Sequence, residues 1–163
     1  MIREDDDANP SRQLLVEWER RTRLNLKSHN MAERFYDRAN LLCSMLAIGT
    51  LVGLGTAAAS FNLTTGSGRA TAISLSVLAA AATSLQAVAG YGGLAEAHRI
   101  AARRHAALSR RVERIALKGS REAIGADLDS LQREWDLISE AAPNVPPRLR
   151  SAAKRSGFPR HFV

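Results

Sequence analysis

The chain has 163 residues, of which 45% are hydrophobic, 24% are charged and only 5% are aromatic. That length allows one domain of ordinary size, and the single cysteine excludes an intramolecular disulfide framework and a cysteine-cluster zinc site. The net charge of +7 is typical of proteins that bind nucleic acid or an anionic membrane surface. The positions of the charges along the chain distinguish between these two classes of protein.

An acidic tail and a charged helix open the chain. The tail, residues 1–13, contains Glu4-Asp5-Asp6-Asp7 with no apolar core behind it, so it is unlike a secretory signal peptide. Residues 14–38 carry a loose apolar stripe amid heavy charge, which predicts a helix. Because no proline or glycine interrupts residues 11–48, we expect this helix to continue into the next segment without a break.

Two long uncharged segments follow. The run from Leu41 to Phe61 has no charged residue, and as a helix it spans about 31 Å, which matches the hydrocarbon core of a bilayer. We therefore predict transmembrane helices over 39–61 and 70–95, joined by a short non-cytoplasmic loop over 62–69 that is rich in turn formers. A soluble bundle with two buried alanine-rich helices is the alternative, but neither run has the polar stripe that such a helix needs.

Basic residues collect on one side of the two predicted spans. Six lie between residues 20 and 38 and six between residues 96 and 115, whereas Arg69 alone lies on the connecting side. The positive-inside rule then places both termini in the cytoplasm of a multi-pass inner-membrane protein. These collars account for most of the positive charge, so we expect no nucleic-acid partner. The residues assigned to topology and to contact with anionic lipid are Arg34, Arg38, Arg99, Arg103 and Arg104.

Two further helices and a tail complete the chain. We predict a cytoplasmic helix over 96–118, a third cytoplasmic helix over 120–141 and a basic, mobile or lipid-facing tail over 142–163. Apolar residues in the third helix recur at intervals of four and three, which predicts packing against the other two helices. The fold class is therefore all-α: a two-helix transmembrane hairpin whose long helices extend into a cytoplasmic three-helix bundle. The predicted bundle residues are Trp18, Leu128, Leu131, Trp135 and Ile138.

Small and hydroxyl residues recur at helical spacing inside the spans. Two small faces exceed what one hairpin needs for its own packing, so we expect a homo-oligomer. The residues predicted to pack helices or protomers are Gly49, Gly53, Ala57, Ala72, Ala80 and Ala87. Gln86 is the only strongly polar side chain in the spans, and either an interhelical hydrogen bond or a pore lining explains it. The possible pore-lining residues are Ser76, Thr83, Ser84 and Gln86.

No combination of acid, base, nucleophile or metal ligands stands out, so we expect no enzyme activity, cofactor or metal. His98 and His105 lie seven residues apart with no third ligand in the pattern, which favours a structural or surface role. The glycines at 90, 92 and 93 around Tyr91 mark a possible hinge.

Residues from roughly 14 to 141 contain a series of features in a fixed order. They are the lead-in Glu17-Trp18-Glu19-Arg20-Arg21, the stretch from His29 to Tyr36, both spans, the basic helix from His98 and the helix of Trp135. This layout resembles the SLATT family of bacterial two-transmembrane effector domains, which are associated with SMODS nucleotidyltransferases and SLOG sensors.

The resemblance implies a membrane effector of an antiphage or conflict system. Such an effector perforates or depolarises the inner membrane when a separate sensor protein or a nucleotide second messenger signals infection, and growth arrest or death follows. The family has no catalytic residues. Two alternatives stay open, a holin-like lysis protein and a membrane-anchored helical scaffold.

Overall fold

The computed structural model describes the backbone of residues 10–60, 66–117 and 121–157, and the side chains of these residues except at 10–12, 57–60 and 121–126. The described residues form five helices and no strand, which confirms the predicted all-α class. The helices are α1 (Pro10–Ser60), α2 (Gly66–Ala89), α3 (Tyr91–Ala116), α4 (Arg121–Ala141) and α5 (Pro147–Arg155).

The two apolar segments lie on α1 and on α2 with its continuation α3. The helical stretches Gln13–Thr56 and Gly66–Ala116 are each long and apolar enough to cross a membrane, which confirms the prediction of two helices of membrane length. Helix α2 begins at Gly66, inside the segment that was predicted to be a loop, and the predicted loop residues 62–65 lie outside the described part of the chain.

Helices α2 and α3 are separated only by Gly90, so that together they form one nearly continuous helix. The φ angle of Gly90 is 56°, in the left-handed region that a glycine adopts without a Cβ clash. The hydrogen-bond ladder continues across it, because the Gly90 amide donates to the Gln86 carbonyl at 3.2 Å and the Leu94 amide donates to the Gly90 carbonyl at 3.0 Å. The regular helical backbone conformation is thus broken only at Gly90, the first glycine of the cluster that predicted a hinge.

The chain divides into two compact units. The bundle unit comprises Met1–Glu33 and Glu96–Val163, and the hairpin unit comprises Arg34–Ala95. Three helices contribute to the core of the bundle unit. The buried core residues are Leu15 from α1, Leu108, Val112 and Ile115 from α3, and Leu131 and Ile138 from α4, with Trp18, Leu128 and Trp135 packed against them. The structure therefore places all five predicted bundle residues in or against one core.

Residues 147–155 form a helix where the sequence predicted a basic tail. Pro147 occupies the first turn of α5, where its missing N–H is not needed and its fixed φ favours the helix. Ala153 is fully buried, and the Lys27 ammonium donates to the carbonyl oxygens of Ser156 and Gly157 at 3.3 and 2.7 Å. A cation at the C-terminal end of a helix is favourable, so α1 anchors the end of α5.

Candidate functional site

The hairpin unit pairs α1 with α2 in antiparallel fashion. Asn40 of α1 contacts Gln86 of α2, and further along α1 Gly53 faces the side chain of Leu75, which lies earlier in α2. A Cβ built on Gly53 would lie 3.8 Å from a methyl group of Leu75. Gly53 therefore lies at the contact between the two helices, where a Cβ would make an ordinary van der Waals contact with Leu75.

A polar cluster crosses the hairpin at Gln86. Its amide nitrogen Nε2 donates to Asn40 Oδ1 at 3.2 Å and to Ser44 Oγ at 2.8 Å. The Ser44 hydroxyl in turn donates to the Asn40 carbonyl at 2.9 Å. Gln86 thus makes the interhelical hydrogen bonds that were one of its two predicted roles, and its amide protons need no water to satisfy them.

The hydroxyl groups of the predicted pore face bond to their own helix. Ser76 donates to the Ala72 carbonyl at 2.8 Å, and Thr83 donates to the Ala79 carbonyl at 2.9 Å. Ser76, Thr83 and Ser84 are all exposed, whereas Gln86 is half-buried. Pore lining by these residues stays a prediction.

The predicted packing residues divide between the inside and the outside of the hairpin. Gly53 and Ala72 are half-buried, whereas Gly49, Ala80 and Ala87 are exposed. A Cβ built on Gly49 meets no atom within 4 Å, so nothing within this one chain requires a glycine there. The side chain of Ala57 lies outside the described residues. Gly53 therefore lies inside the hairpin, and Gly49 belongs to its outer surface.

Most of the apolar surface of the two long helices lies exposed. In each helix only 6% of the most apolar 18-residue window is buried. Large side chains point outward along both segments. They are Leu41, Leu42, Met45, Leu46, Ile48, Leu51 and Val52 on α1, and Ile73, Val77, Leu78, Leu85 and Val88 on α2. The core helix of a soluble protein would instead be covered by its own chain.

The arginines that the sequence assigned to topology are all exposed. Arg34 and Arg38 lie on α1, and Arg99, Arg103 and Arg104 lie on α3. Arg99 forms an ion pair with Glu96, one turn earlier on the same helix.

The bundle unit contains a buried histidine cluster that sequence reasoning missed. His29 of α1 lies against both histidines of α3. Its Nδ1 is 2.9 Å from the Nδ1 of His98, and its ring stacks on that of His105 with centroids 5.4 Å apart. The three side chains are only 5%, 1% and 1% exposed. His29 is thus the third member that the pattern of His98 and His105 lacked.

The geometry of this cluster favours neutral rings over a metal centre. Because two imidazole nitrogens 2.9 Å apart share a hydrogen bond, one of them carries the proton. Among the described residues, no group of three or more His, Cys, Asp or Glu side chains is arranged to hold a metal ion. The rings of His105 and Trp135 pack edge to face with centroids 5.7 Å apart, which ties the cluster to α4.

Burial shifts the ionisation of all three histidines in one direction. It lowers the pKa of His29 from 6.5 to about 4, and repulsion from His105, His98 and Arg150 adds to this effect. It also lowers the pKa of His105 to about 4 and lowers that of His98. A charged imidazole loses its hydration on burial, so the cluster is uncharged at neutral pH.

No family model, curated protein or solved structure matches this chain.

Proposed function

We propose that the chain is an inner-membrane effector whose hairpin unit inserts in the bilayer, oligomerises and permeabilises the membrane when a partner sensor or a small ligand signals. This is the activity that the resemblance to the SLATT family implies. The observation that carries the proposal is the exposed apolar surface on both helices of the hairpin unit.

The magnitude of this exposure supports insertion. Twelve large apolar side chains in the two segments are between 45% and 88% exposed. At roughly 1.5–3 kcal/mol for a fully buried side chain of this kind, leaving them in water costs on the order of 15 kcal/mol. That is as large as the whole stability of an ordinary domain, about 5–15 kcal/mol. A bilayer removes this cost without any further protein.

The shape of the apolar surface favours lipid over a single protein partner. Residues 41, 42, 45, 46, 48, 51 and 52 of α1 lie on more than half of the helix circumference. A partner helix covers a narrower stripe, about 100° wide. The hydroxyl groups inside the segments also suit lipid, since those of Thr50, Ser76 and Thr83 donate to carbonyls of their own helices.

The arginine collars support an orientation with both termini in the cytoplasm. Arg34 and Arg38 precede the first apolar segment, and Arg99, Arg103 and Arg104 follow the second, whereas the connecting side carries Arg69 alone. Exposed arginines in these positions interact with anionic headgroups on the cytoplasmic leaflet.

The outer surface of the hairpin supports oligomerisation. Gly49 opens onto free space, and the exposed face of α2 carries small side chains at Ala80 and Ala87. Small residues let helices of neighbouring protomers approach closely in a bilayer. The hydroxyl groups of Ser76, Thr83 and Ser84 on the same face are the candidates for lining a water-filled path.

The test is permeabilisation by the purified full chain. Reconstituted into liposomes that carry a potassium gradient, the protein is expected to collapse the membrane potential, as followed with a potential-sensitive dye. Induced expression in a bacterial host is expected to depolarise the cells before they lose viability. A chain that inserts but leaves the potential intact at high density would contradict the pore.

Two glycines provide matched variants for the oligomer. A Cβ built on Gly49 or on Gly55 meets no atom within 4 Å, so Gly49→Leu and Gly55→Leu form a matched pair. The two positions lie about 120° apart around the helix, and only Gly49 is among the predicted packing residues. We expect Gly49→Leu to abolish leakage at unchanged protein level and Gly55→Leu to preserve it. Equal leakage from both variants would exclude this face as the oligomer contact.

A membrane-anchored scaffold is the second candidate, because the bundle unit has a core of its own formed by three helices. A scaffold would insert in the same way and leave the membrane potential unchanged. The liposome assay therefore separates the two functions.

A further inference from the structure

Two adjoining clefts open on the bundle unit beside α5. The first has a volume of about 270 Å³, and its lining includes Asn25, His29, His105, Trp135, Asn144 and Arg150. The second has a volume of about 330 Å³, and its lining includes Arg20, Arg21, Asn25, Trp135, Arg150 and Lys154. Asn25, Trp135 and Arg150 line both, so the two clefts form one two-lobed depression, here called the basic cleft.

The basic cleft carries unbalanced positive charge. Four cations line it and no aspartate or glutamate is among its described lining residues. Arg20 and Arg21 are partly neutralised, because both donate hydrogen bonds to Glu17. Arg150 and Lys154 make no side-chain hydrogen bond or ion pair with any other described residue. Their charges are therefore available to an incoming anion.

Arg150 occupies the centre of this arrangement. It belongs to both lobes, and its guanidinium is close enough to His29 to disfavour a proton there. A planar guanidinium presents paired donors that match the oxygens of a carboxylate or a phosphate. An anion bound at Arg150 would relieve the repulsion that this side chain now exerts on the histidine cluster.

Uncharged polar groups and one aromatic ring complete the lining. His105 has a buried Nδ1 without a hydrogen-bond partner among the described residues, and burial keeps this ring neutral at pH 7 by lowering its pKa. Asn25 and Asn144 add amide groups that donate and accept hydrogen bonds. The half-buried ring of Trp135 lies where the lobes meet and offers an apolar surface to a ligand that spans both.

We propose that the basic cleft binds a small organic phosphate, with the phosphate group at Arg150 and Lys154 and the organic part against Trp135. Two cations without a carboxylate partner among the described residues, Arg150 and Lys154, with the partly neutralised Arg20 and Arg21 beside them, suit a dianion such as a phosphomonoester better than a single carboxylate. The two lobes leave room for more than inorganic phosphate alone. The site lies wholly in the bundle unit, and its existence does not require the hairpin unit to form a pore.

The binding test uses the full chain in a non-ionic detergent, with adenosine monophosphate, adenosine and inorganic phosphate as probes in isothermal titration calorimetry. Adenosine monophosphate is expected to bind saturably, inorganic phosphate at least ten-fold more weakly, and adenosine not measurably. Saturable binding of adenosine equal to that of its monophosphate would overturn the proposal, as would the absence of binding by adenosine monophosphate and by phosphatidic acid together.

Matched variants on α5 separate a built site from general attraction. Arg150 lines both lobes, whereas Arg148 is another exposed arginine of the same helix that lines neither. Arg150→Gln is expected to raise the Kd at least ten-fold and Arg148→Gln less than two-fold. Equal weakening by the two variants would show that only net charge matters and would overturn the site. Unchanged fluorescence spectra of Trp18 and Trp135 verify that each variant is folded.

The phosphate has two possible sources, a soluble metabolite and a lipid headgroup. Micelles doped with phosphatidic acid present a phosphomonoester, and micelles doped with phosphatidylglycerol present a phosphodiester as a charge control. Displacement of adenosine monophosphate by phosphatidic acid but not by phosphatidylglycerol identifies the headgroup as the natural ligand class. Displacement by neither lipid identifies a soluble phosphate, and displacement by both to the same degree contradicts a specific site. If the unmodified chain makes liposomes leak but binds no phosphate compound, this inference alone is refuted. If it binds adenosine monophosphate but causes no leakage, the pore alone is refuted.

Discussion

The buried histidine cluster makes the stability of the bundle unit dependent on pH. His29 and His105 both have a pKa near 4 in the folded chain, against an ordinary value of 6.5, because burial penalises their charged forms. Between these values the unfolded chain binds protons that the folded chain does not. The free energy of unfolding is therefore at its full value above about pH 7, and it falls as the pH drops from 6.5 towards 4.

The size of the effect follows from these two values. For one histidine whose pKa changes from 6.5 in the unfolded chain to about 4 in the folded chain, the loss between pH 8 and pH 5 is about 2 kcal/mol. Two such histidines give up to about 4 kcal/mol if they titrate independently. Glu17 adds little in this window, because the hydrogen bonds from Arg20 and Arg21 that lower its pKa to about 2 make stability depend on pH mainly below its ordinary value of 4.5.

Tryptophan fluorescence provides an assay specific to this unit. The chain has two tryptophans, Trp18 and Trp135, and both pack on the bundle core with ring centroids 5.9 Å apart. Urea unfolding of the full chain in a non-ionic detergent, followed by their emission, is expected to give a free energy of unfolding about 2–4 kcal/mol lower at pH 5 than at pH 8.

The variant His105→Leu removes one titrating ring while keeping an apolar side chain against Trp135. It is expected to reduce the pH dependence by about 2 kcal/mol, with little loss at pH 8 because the buried Nδ1 of His105 has no hydrogen-bond partner among the described residues. His161→Gln in all samples removes the one histidine outside the described residues. A free energy of unfolding that is the same at pH 5 and pH 8 would refute the buried, neutral cluster.

Three further predictions concern the core and the hairpin. Leu108→Ala, at a fully buried position, is expected to cost about 2–5 kcal/mol in the same urea assay, whereas the exposed Leu137→Ala should change stability by less than about 0.5 kcal/mol. Gly90→Ala places a Cβ on a residue whose φ is 56°, and it is expected to destabilise the chain by about 1 kcal/mol in thermal unfolding. The control Gly93→Ala adds a Cβ that meets no atom within 4 Å, and it should stabilise the chain by about 0.5–1 kcal/mol in the same assay. Gln86→Leu removes both hydrogen bonds to α1 and is expected to cost about 1 kcal/mol in an SDS titration followed by circular dichroism; no loss would mean that these bonds do not hold the hairpin together.

The tail beyond residue 141 shows where local sequence signals were misinterpreted. Pro143, Pro146 and Pro147 predict the end of the third helix, but a proline in the first turn is compatible with a new helix that begins there, as α5 does. One contact at the end of α5 is the hydrogen bond from Lys27 to the carbonyl of Ser156, and the two residues lie 129 positions apart in the chain. A contact over such a separation leaves no local pattern in the sequence.

The histidine cluster was missed for a related reason, although one signal for it existed. Because α1 runs antiparallel to the helices that follow it, a residue i of α1 lies opposite about residue 127 − i, as Tyr36 stacking on Tyr91 illustrates. The same register puts His29 opposite His98, which the structure bears out. Spacing along one helix could not find this pair, because its members belong to different helices.

The sequence by itself determined the helical class, the two apolar helices and the apolar spacing that puts Leu131 and Ile138 in a core. These properties follow from the order of residues along a single helix, since charge gaps and periodicity are local. Only the tertiary structure decided which polar groups meet: Gln86 with Asn40 and Ser44, and His29 with His98. It also decided that Arg150 of α5 lines one cleft with His29 and His105. Such groupings depend on how separate helices pack, and packing is decided by the whole set of side chains between them rather than by any one segment.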